Sequence, residues 1–246
     1  MLIAGIASLV MMAPAETSGR AVVLTYHDVI EQRGPGSVWF DCTVIEFRTQ
    51  VEDLRRRGAN FISTRQLEAF LDSGKPLPPR AVAITFADNY RGFLLHAWPI
   101  LRNRGIPVTM FVHTGYVGSR VGRPKMHWTE LGELHRQGVI VASQTVSHPA
   151  DLTRLNDADL RKEFGASMRV LSDRIDPYGG HRLAYPNGKF DRRTITMAKQ
   201  VGYQFAYTEV CEPVTRRTER LAIPRYVHTK YRQAWRDLTA GVGSSR

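Results

Sequence analysis

Cysteine is scarce in this chain: Cys42 and Cys211 are the two among 246 residues. They lie far apart and match no metal-ligand spacing, so a cysteine-built metal centre and a multi-bridge disulfide scaffold are both excluded. One disulfide between them stays open if the chain is exported, and so do two unpaired thiols. Long hydrophobic runs are absent as well. The apolar stretch from Met1 to Met12 is too short to cross a bilayer comfortably. No lysine or arginine precedes Arg20, so that stretch lacks the basic start of an export leader. There is no internal repeat and no low-complexity block, which excludes a repeat array. No nucleic-acid motif is present, and no basic run carries interleaved aromatics.

Positive charge, by contrast, is plentiful. Lys and Arg number 34 against 23 Asp and Glu, for a net charge of +11. Such a surface attracts anionic polymers, whether nucleic acid, acidic cell-wall polymers or anionic lipid heads. The charge is nevertheless spread over Arg55, Arg56, Arg57, Arg216, Arg217, Arg220 and Arg225, which reads first as solvated faces. The length suits one large domain or two small ones. Met1 to Met12 runs into Ala13-Pro14-Ala15 and then polar Glu16-Thr17-Ser18, a short apolar region with a small-x-small cleavage signal. Residues 1–15 are therefore expected to be a signal peptide, with export to the periplasm, cell wall or medium; a buried N-terminal helix or strand is the alternative. Residues 20–232 are expected to form one domain, and 233–246 a C-terminal tail.

Along that domain, β-type and helix-type patterns alternate. Ala21 to Tyr26 is β-branched and apolar without helical period, a buried strand. Phe47, Val51 and Leu54 recur at helical spacing until Gly58. Phe61-Ile62 is extended, and Ser63-x-x-Gln66 has the form of a capping box opening a helix with Leu67, Phe70 and Leu71. Strands follow at Ala81 to Phe86, Pro107 to Val112, Val139 to Ser143, Arg182 to Tyr185 and Phe205 to Thr208, with Leu221 to Tyr226 as a last one. Helices separate them at His96 to Arg104, around Leu131 and Leu134, from Asp157 to Ile175 and from Arg192 to Val201. Strands alternating with helices imply a parallel sheet, and a barrel of βα units fits the length. Functional residues then belong just past strand C-termini.

Several chemistry-bearing residues stand there. His27-Asp28 follows the first strand, a titratable pair suited to acid chemistry or ligand orientation, or to a plain structural histidine. Asp88 follows Phe86 as a helix cap or a hard metal ligand, and His148 follows the strand ending at Ser143. One carboxylate and one imidazole make an incomplete zinc site, since catalytic zinc usually has three protein ligands. Tyr185-Pro186-Asn187-Gly188 is turn chemistry with an aromatic wall available for a sugar ring.

Taken in order, these motifs resemble the polysaccharide deacetylases, the NodB-homology group of carbohydrate esterases. The resemblance runs from about Ala21 to Tyr226. The family's Thr-Phe-Asp-Asp-Gly stands here as Thr85-Phe86-Ala87-Asp88-Asn89, its Ser-His-Thr-x-x-His-Pro as Ser143-Gln144-Thr145-Val146-Ser147-His148-Pro149, and its Tyr-Pro-Tyr-Gly as Tyr185-Pro186-Asn187-Gly188. Leu24-x-Tyr26-His27-x-Val29 is similar to the branch that deacetylates biofilm poly-N-acetylglucosamine. The resemblance implies a distorted (β/α) barrel, a glycan substrate with N-acetyl groups, and a zinc-like divalent metal held by one Asp and two His. It implies His27 as general acid, Asp88 and His148 as metal ligands, and Asn89, Tyr185, Pro186, Asn187 and Gly188 as substrate contacts. Two positions depart from it. Ala87 stands where the base is expected and cannot accept a proton, a loss of typically about 10²–10⁴ in rate. Gln144 stands where the third ligand is expected and is a weaker donor than imidazole. Together they imply impaired or lost deacetylation, with a non-catalytic glycan-binding or scaffolding protein as the alternative. Asp28, His113 and Asp151 adjoin strand-end motifs and are the candidates for rebuilding the site.

Overall fold

A computed structural model describes residues 19–177 and 179–240. The expected leader at 1–15 and residues 241–246 of the expected tail lie outside them. The elements run β1 (Arg20–Tyr26), β2 (Val29–Ile30), β3 (Cys42–Thr43), α1 (Val44–Arg56), β4 (Asn60–Ile62), α2 (Thr64–Ser73), β5 (Ala81–Phe86), α3 (Trp98–Arg102), β6 (Val108–Val112), α4 (Trp128–Arg136), β7 (Ile140–Ser143), α5 (Asp157–Arg174), β8 (Arg182–Ala184), α6 (Arg192–Val201), β9 (Phe205–Tyr207), β10 (Val214–Thr215), β11 (Tyr226–Val227) and α7 (Tyr231–Thr239). The main sheet has the order β10-β1-β5-β6-β7-β8-β9, with β4 added on β5 and β11 on β1. Its pairings are parallel except that of β10 with β1. Beyond β9, Ile223 bridges Tyr207, and the chain then runs into β11 beside β1. The sheet thus curls back towards its own start, the distorted (β/α) barrel expected.

Side chains of β1 and β5 alternate between an outer and an inner core, as the period of a strand requires. Val22, Leu24 and Tyr26 of β1 and Val82, Ile84 and Phe86 of β5 face the outer helices. Ala21, Val23, Ala81, Ala83, Phe111, Ala142, Ala184, Phe205, Tyr207 and Ile223 face the interior. Small residues on β1 and β5 leave room for the large ones opposite. Low in the barrel, the buried Glu68 carboxylate takes a two-pronged ion pair from Arg182 and a hydrogen bond from Tyr207 Oη at 2.9 Å. Those partners are what a buried carboxylate requires.

The capping box holds: Ser63 Oγ accepts the Gln66 N–H, and the Gln66 side chain accepts the Ser63 N–H. Other boundaries shift. The helix expected from His96 begins at Phe93 with a π-type turn, because Pro99 has no N–H to give and Trp98 N–H bonds back to Phe93 O. The expected strand Leu221 to Tyr226 is reduced to an isolated bridge at Ile223 and the short β11. The domain also passes its expected end at 232. Helix α7 crosses that point and buries Ala234 and Leu238 in the outer core, while Arg20 donates to the carbonyls of Asp237 and Ala240. Both cysteines are free thiols, and burial pushes that of Cys42 up to about 12.

Candidate metal centre

The interior rows of the strands continue past their C-terminal ends and meet at one mouth. His27 follows Val23 and Thr25, Ala87 follows Ala83 and Thr85, His113 follows Phe111, Gln144 follows Ala142, and Glu209 follows Tyr207, each two residues further along its row. Arg225 belongs to the row of Ile223 and lays its guanidinium over the Phe111 ring.

Asp88, His113 and His148 come together here, their donor atoms all within 4.8 Å of one another. His113 Nε2 lies 2.9 Å and His148 Nε2 3.6 Å from the same oxygen, Asp88 Oδ1. One carboxylate and two imidazoles form a catalytic-zinc donor set, and these separations suit donors that would each stand about 2 Å from a shared ion. The third residue of this group is His113, and Gln144 lies outside it. Gln144 has its Oε1 turned to the Asp88 N–H at 2.9 Å, so it fixes the Asp88 backbone.

Holding these side chains strains the chain. Asp88, Asn89, Thr145 and His148 all have positive φ, at 69, 40, 68 and 51°. Such residues cost about 1–3 kcal/mol each and persist only where their surroundings over-determine them. The surroundings here are specific. Lys125 Nζ donates to Asp88 O at 2.8 Å and packs 3.3 Å over the Tyr90 ring centre; burial lowers it to about 8. Thr145 Oγ1 accepts the His148 N–H at 3.1 Å. Glu163, on α5, accepts the N–H groups of Val146 and Ser147 and the Ser147 hydroxyl.

Electrostatics favour an ionised carboxylate at Asp88. Burial acts to raise Asp88, but the His113 hydrogen bond and the charges of His113, His27 and His148 outweigh it and hold the carboxyl far below the usual range. Burial pushes His148 down to about 4, against the pull of Asp88. His27 is lowered by burial, with Asp88 and Glu209 acting to raise it. Its Nε2 stands 3.9 Å from Glu209 Oε1.

The other expected site residues sort plainly. Asn89 is fully buried, with no partner for its amide among the described residues, so it offers no substrate surface. Tyr185 is not a sugar-facing wall. It is buried, donates to Leu221 O and stacks on Phe190 at 5.4 Å. Pro186 is buried behind it, while Asn187 is exposed and ties its amide to Ala150 O. Gly188 has φ 65°, and a β-carbon there would lie 2.7 Å from Glu209 Cβ. Asp28 turns away to Arg123 at 3.3 Å, and Asp151 caps the turn at Thr153. Of the three rebuilding candidates, His113 alone joins the donor group. The aromatic wall lies elsewhere: Phe40 and the exposed Trp39 stand 5.1 and 6.4 Å from the His27 ring. Arg123, paired with Asp41, braces that segment from above Phe40 and Tyr90.

Glu209, Arg225, Glu163 and the Trp39-Phe40 pair escaped the motif reading. Counting two residues on from each interior-facing position finds Glu209 as it finds His113; Glu163 and Trp39 carry no such signal.

A sequence model of the polysaccharide deacetylase family matches residues 74–206. YxkH of Bacillus subtilis (strain 168) is 27% identical over 165 residues, 66% of this chain and 57% of that protein, little more than half its length. The poly-beta-1,6-N-acetyl-D-glucosamine N-deacetylase of Staphylococcus epidermidis is 27% identical over 198 residues, 76% of this chain and 67% of that protein. The structure of IcaB from Ammonifex degensii superposes with a TM-score of 0.78 at 22% identity, covering 91% of this chain and 99% of that one, and shares its fold. With the motif order on the same barrel, the family match means that this chain belongs to the polysaccharide deacetylase family, the NodB-homology carbohydrate esterases.

Proposed function

We propose that the protein is a metal-dependent hydrolase that removes N-acetyl groups from a glucosamine-containing polysaccharide. The observation that carries this reading is the convergence of Asp88, His113 and His148 at the mouth of a deacetylase barrel. A divalent ion held by them would supply Lewis acidity towards the acetyl carbonyl and towards water. His27, whose protonated form burial disfavours and the Asp88 and Glu209 carboxylates act to restore, gives a proton to the departing amine. Trp39 offers an exposed aromatic face to a sugar ring next to it. The apolar segment at 1–15 supports action outside the cytoplasm on a cell-wall or exported glycan, and the net charge of +11 supports contact with anionic wall polymers. Ala87 favours a second reading, a glycan-binding protein without turnover.

Two measurements test this. In calorimetric titration with zinc, cobalt or nickel, we expect one tight site that His113→Ala abolishes, while Gln144→Ala weakens it by roughly 10-fold through Asp88. The loaded protein is expected to release amine from acetylated glucosamine oligomers. Tight binding that survives His113→Ala refutes the third donor. Oligomer binding without amine release establishes the second reading.

A further inference from the structure

Amide hydrolysis needs one group to take a proton from the attacking water and another to give a proton to the departing nitrogen. Asp88, His113 and His148 are committed to the ion, and His27 to the nitrogen. Position 87 is a buried alanine. At the same mouth stands one more carboxylate, Glu209, and its surroundings are built for it. It continues the interior row of β9 after Tyr207. Gly188 makes room for it: a β-carbon there would meet Glu209 Cβ at 2.7 Å and Glu209 N at 2.8 Å. The Tyr185–Gly188 turn thus closes over Glu209 and sets its position, with the side chain one-fifth exposed. Across the mouth lies Arg225, fully buried, with Nε donating to Thr208 O and Nη1 to Thr25 Oγ1. Its Nη2 has no hydrogen-bond partner and faces Glu209 Oε1 at 3.8 Å. A buried guanidinium requires an anion, and Glu209 is the carboxylate at ion-pair distance. The same Oε1 is 3.9 Å from His27 Nε2.

Building on the deacetylase reading above, we propose that Glu209 is the general base, supplying from the end of β9 the carboxylate that Ala87 does not supply from β5. As the water oxygen bonds to the acetyl carbon, one water proton passes to Glu209. Protonated His27 gives its proton to the nitrogen as the C–N bond breaks, leaving acetic acid and a free amine. Glu209 then returns its proton to His27, restoring both groups.

The test uses the zinc-loaded chain and acetylated glucosamine oligomers. Glu209→Gln is expected to lower amine release by about 10²–10⁴-fold, with zinc affinity by calorimetry within threefold of native. Formate is expected to restore part of the rate to Glu209→Ala, which a merely structural role would not allow. In the metal-free protein, Glu209→Gln is expected to lower the melting temperature by leaving Arg225 without an anion. Ala87→Asp is expected to recover both melting temperature and rate in the Glu209→Gln background. Native-like turnover by Glu209→Gln overturns the assignment of Glu209 and leaves the deacetylase reading standing. No turnover by the loaded native chain overturns both.

Discussion

Glu163 touches no donor atom, yet His148 depends on it. Its carboxylate accepts the Val146 and Ser147 N–H groups at 2.9 Å each and the Ser147 hydroxyl at 2.7 Å. Hydrogen bonds to a charged group are worth roughly 1.5–3 kcal/mol each. Partial exposure of this carboxylate reduces that to about 1 kcal/mol apiece, or about 3 kcal/mol for the set. Opposing it are the two left-handed residues of the same loop, Thr145 and His148, at about 1–3 kcal/mol each. The terms are comparable, so removing Glu163 lets the loop relax and carries the His148 imidazole away from Asp88. Glu163→Ala should therefore weaken zinc binding by roughly 10–100-fold, the usual effect of losing a group that orients a ligand. Glu163→Gln, which keeps an acceptor, should lose less. Calorimetric titration at constant pH reads both, and a thermal melt of the metal-free variants shows whether α5 remains in place. An Ala variant that melts as native and binds zinc within threefold of native would refute the account.

Two further predictions follow from buried groups. Burial pushes His228 from 6.5 to about 4 in the folded chain, so between those pH values the unfolded chain binds a proton that the folded chain does not. Its stabilising contribution is full above about pH 6.5 and is lost towards pH 4, by about 3 kcal/mol; urea unfolding at several pH values should show this slope, and His228→Phe should flatten it. Gly188→Ala should displace Glu209, lowering amine release at least 10-fold while zinc affinity stays within threefold of native; equal turnover would show that the Tyr185–Gly188 turn does not position the base.

Strand and helix order was legible in the sequence because each element carries its own period and stop signal. Ser63-x-x-Gln66 shows the point: the box is local, and both of its hydrogen bonds form. What local pattern does not carry was missed. Strands β2 and β3 are two residues each and exist by pairing with one another. The packing of α7 on β1 and the outer core is likewise a contact between distant segments, which no local pattern announces. Tyr185 misled for a related reason. An aromatic beside a turn reads as a binding surface until the barrel closes and gives its hydroxyl a buried partner in Leu221 O.

The site divides along the same line. Motif spacing reaches Asp88 and His148 because it counts along the chain, and it marks Ala87 and Gln144 as losses for the same reason. A barrel mouth is assembled across the chain, from the interior row of every strand. On that count the donor that Gln144 does not provide is available two residues beyond Phe111, as His113, and the carboxylate absent at Ala87 is available two residues beyond Tyr207, as Glu209. Gln144 has meanwhile become the anchor of the Asp88 backbone. Neither substitution can be judged apart from its neighbours, and restoring one alone tests this. Gln144→His removes the acceptor that holds Asp88 N–H and brings another imidazole beside His113 and His148. It should therefore fail to tighten zinc binding. An affinity gain of 10-fold or more would mean that His113 had not taken over the third position.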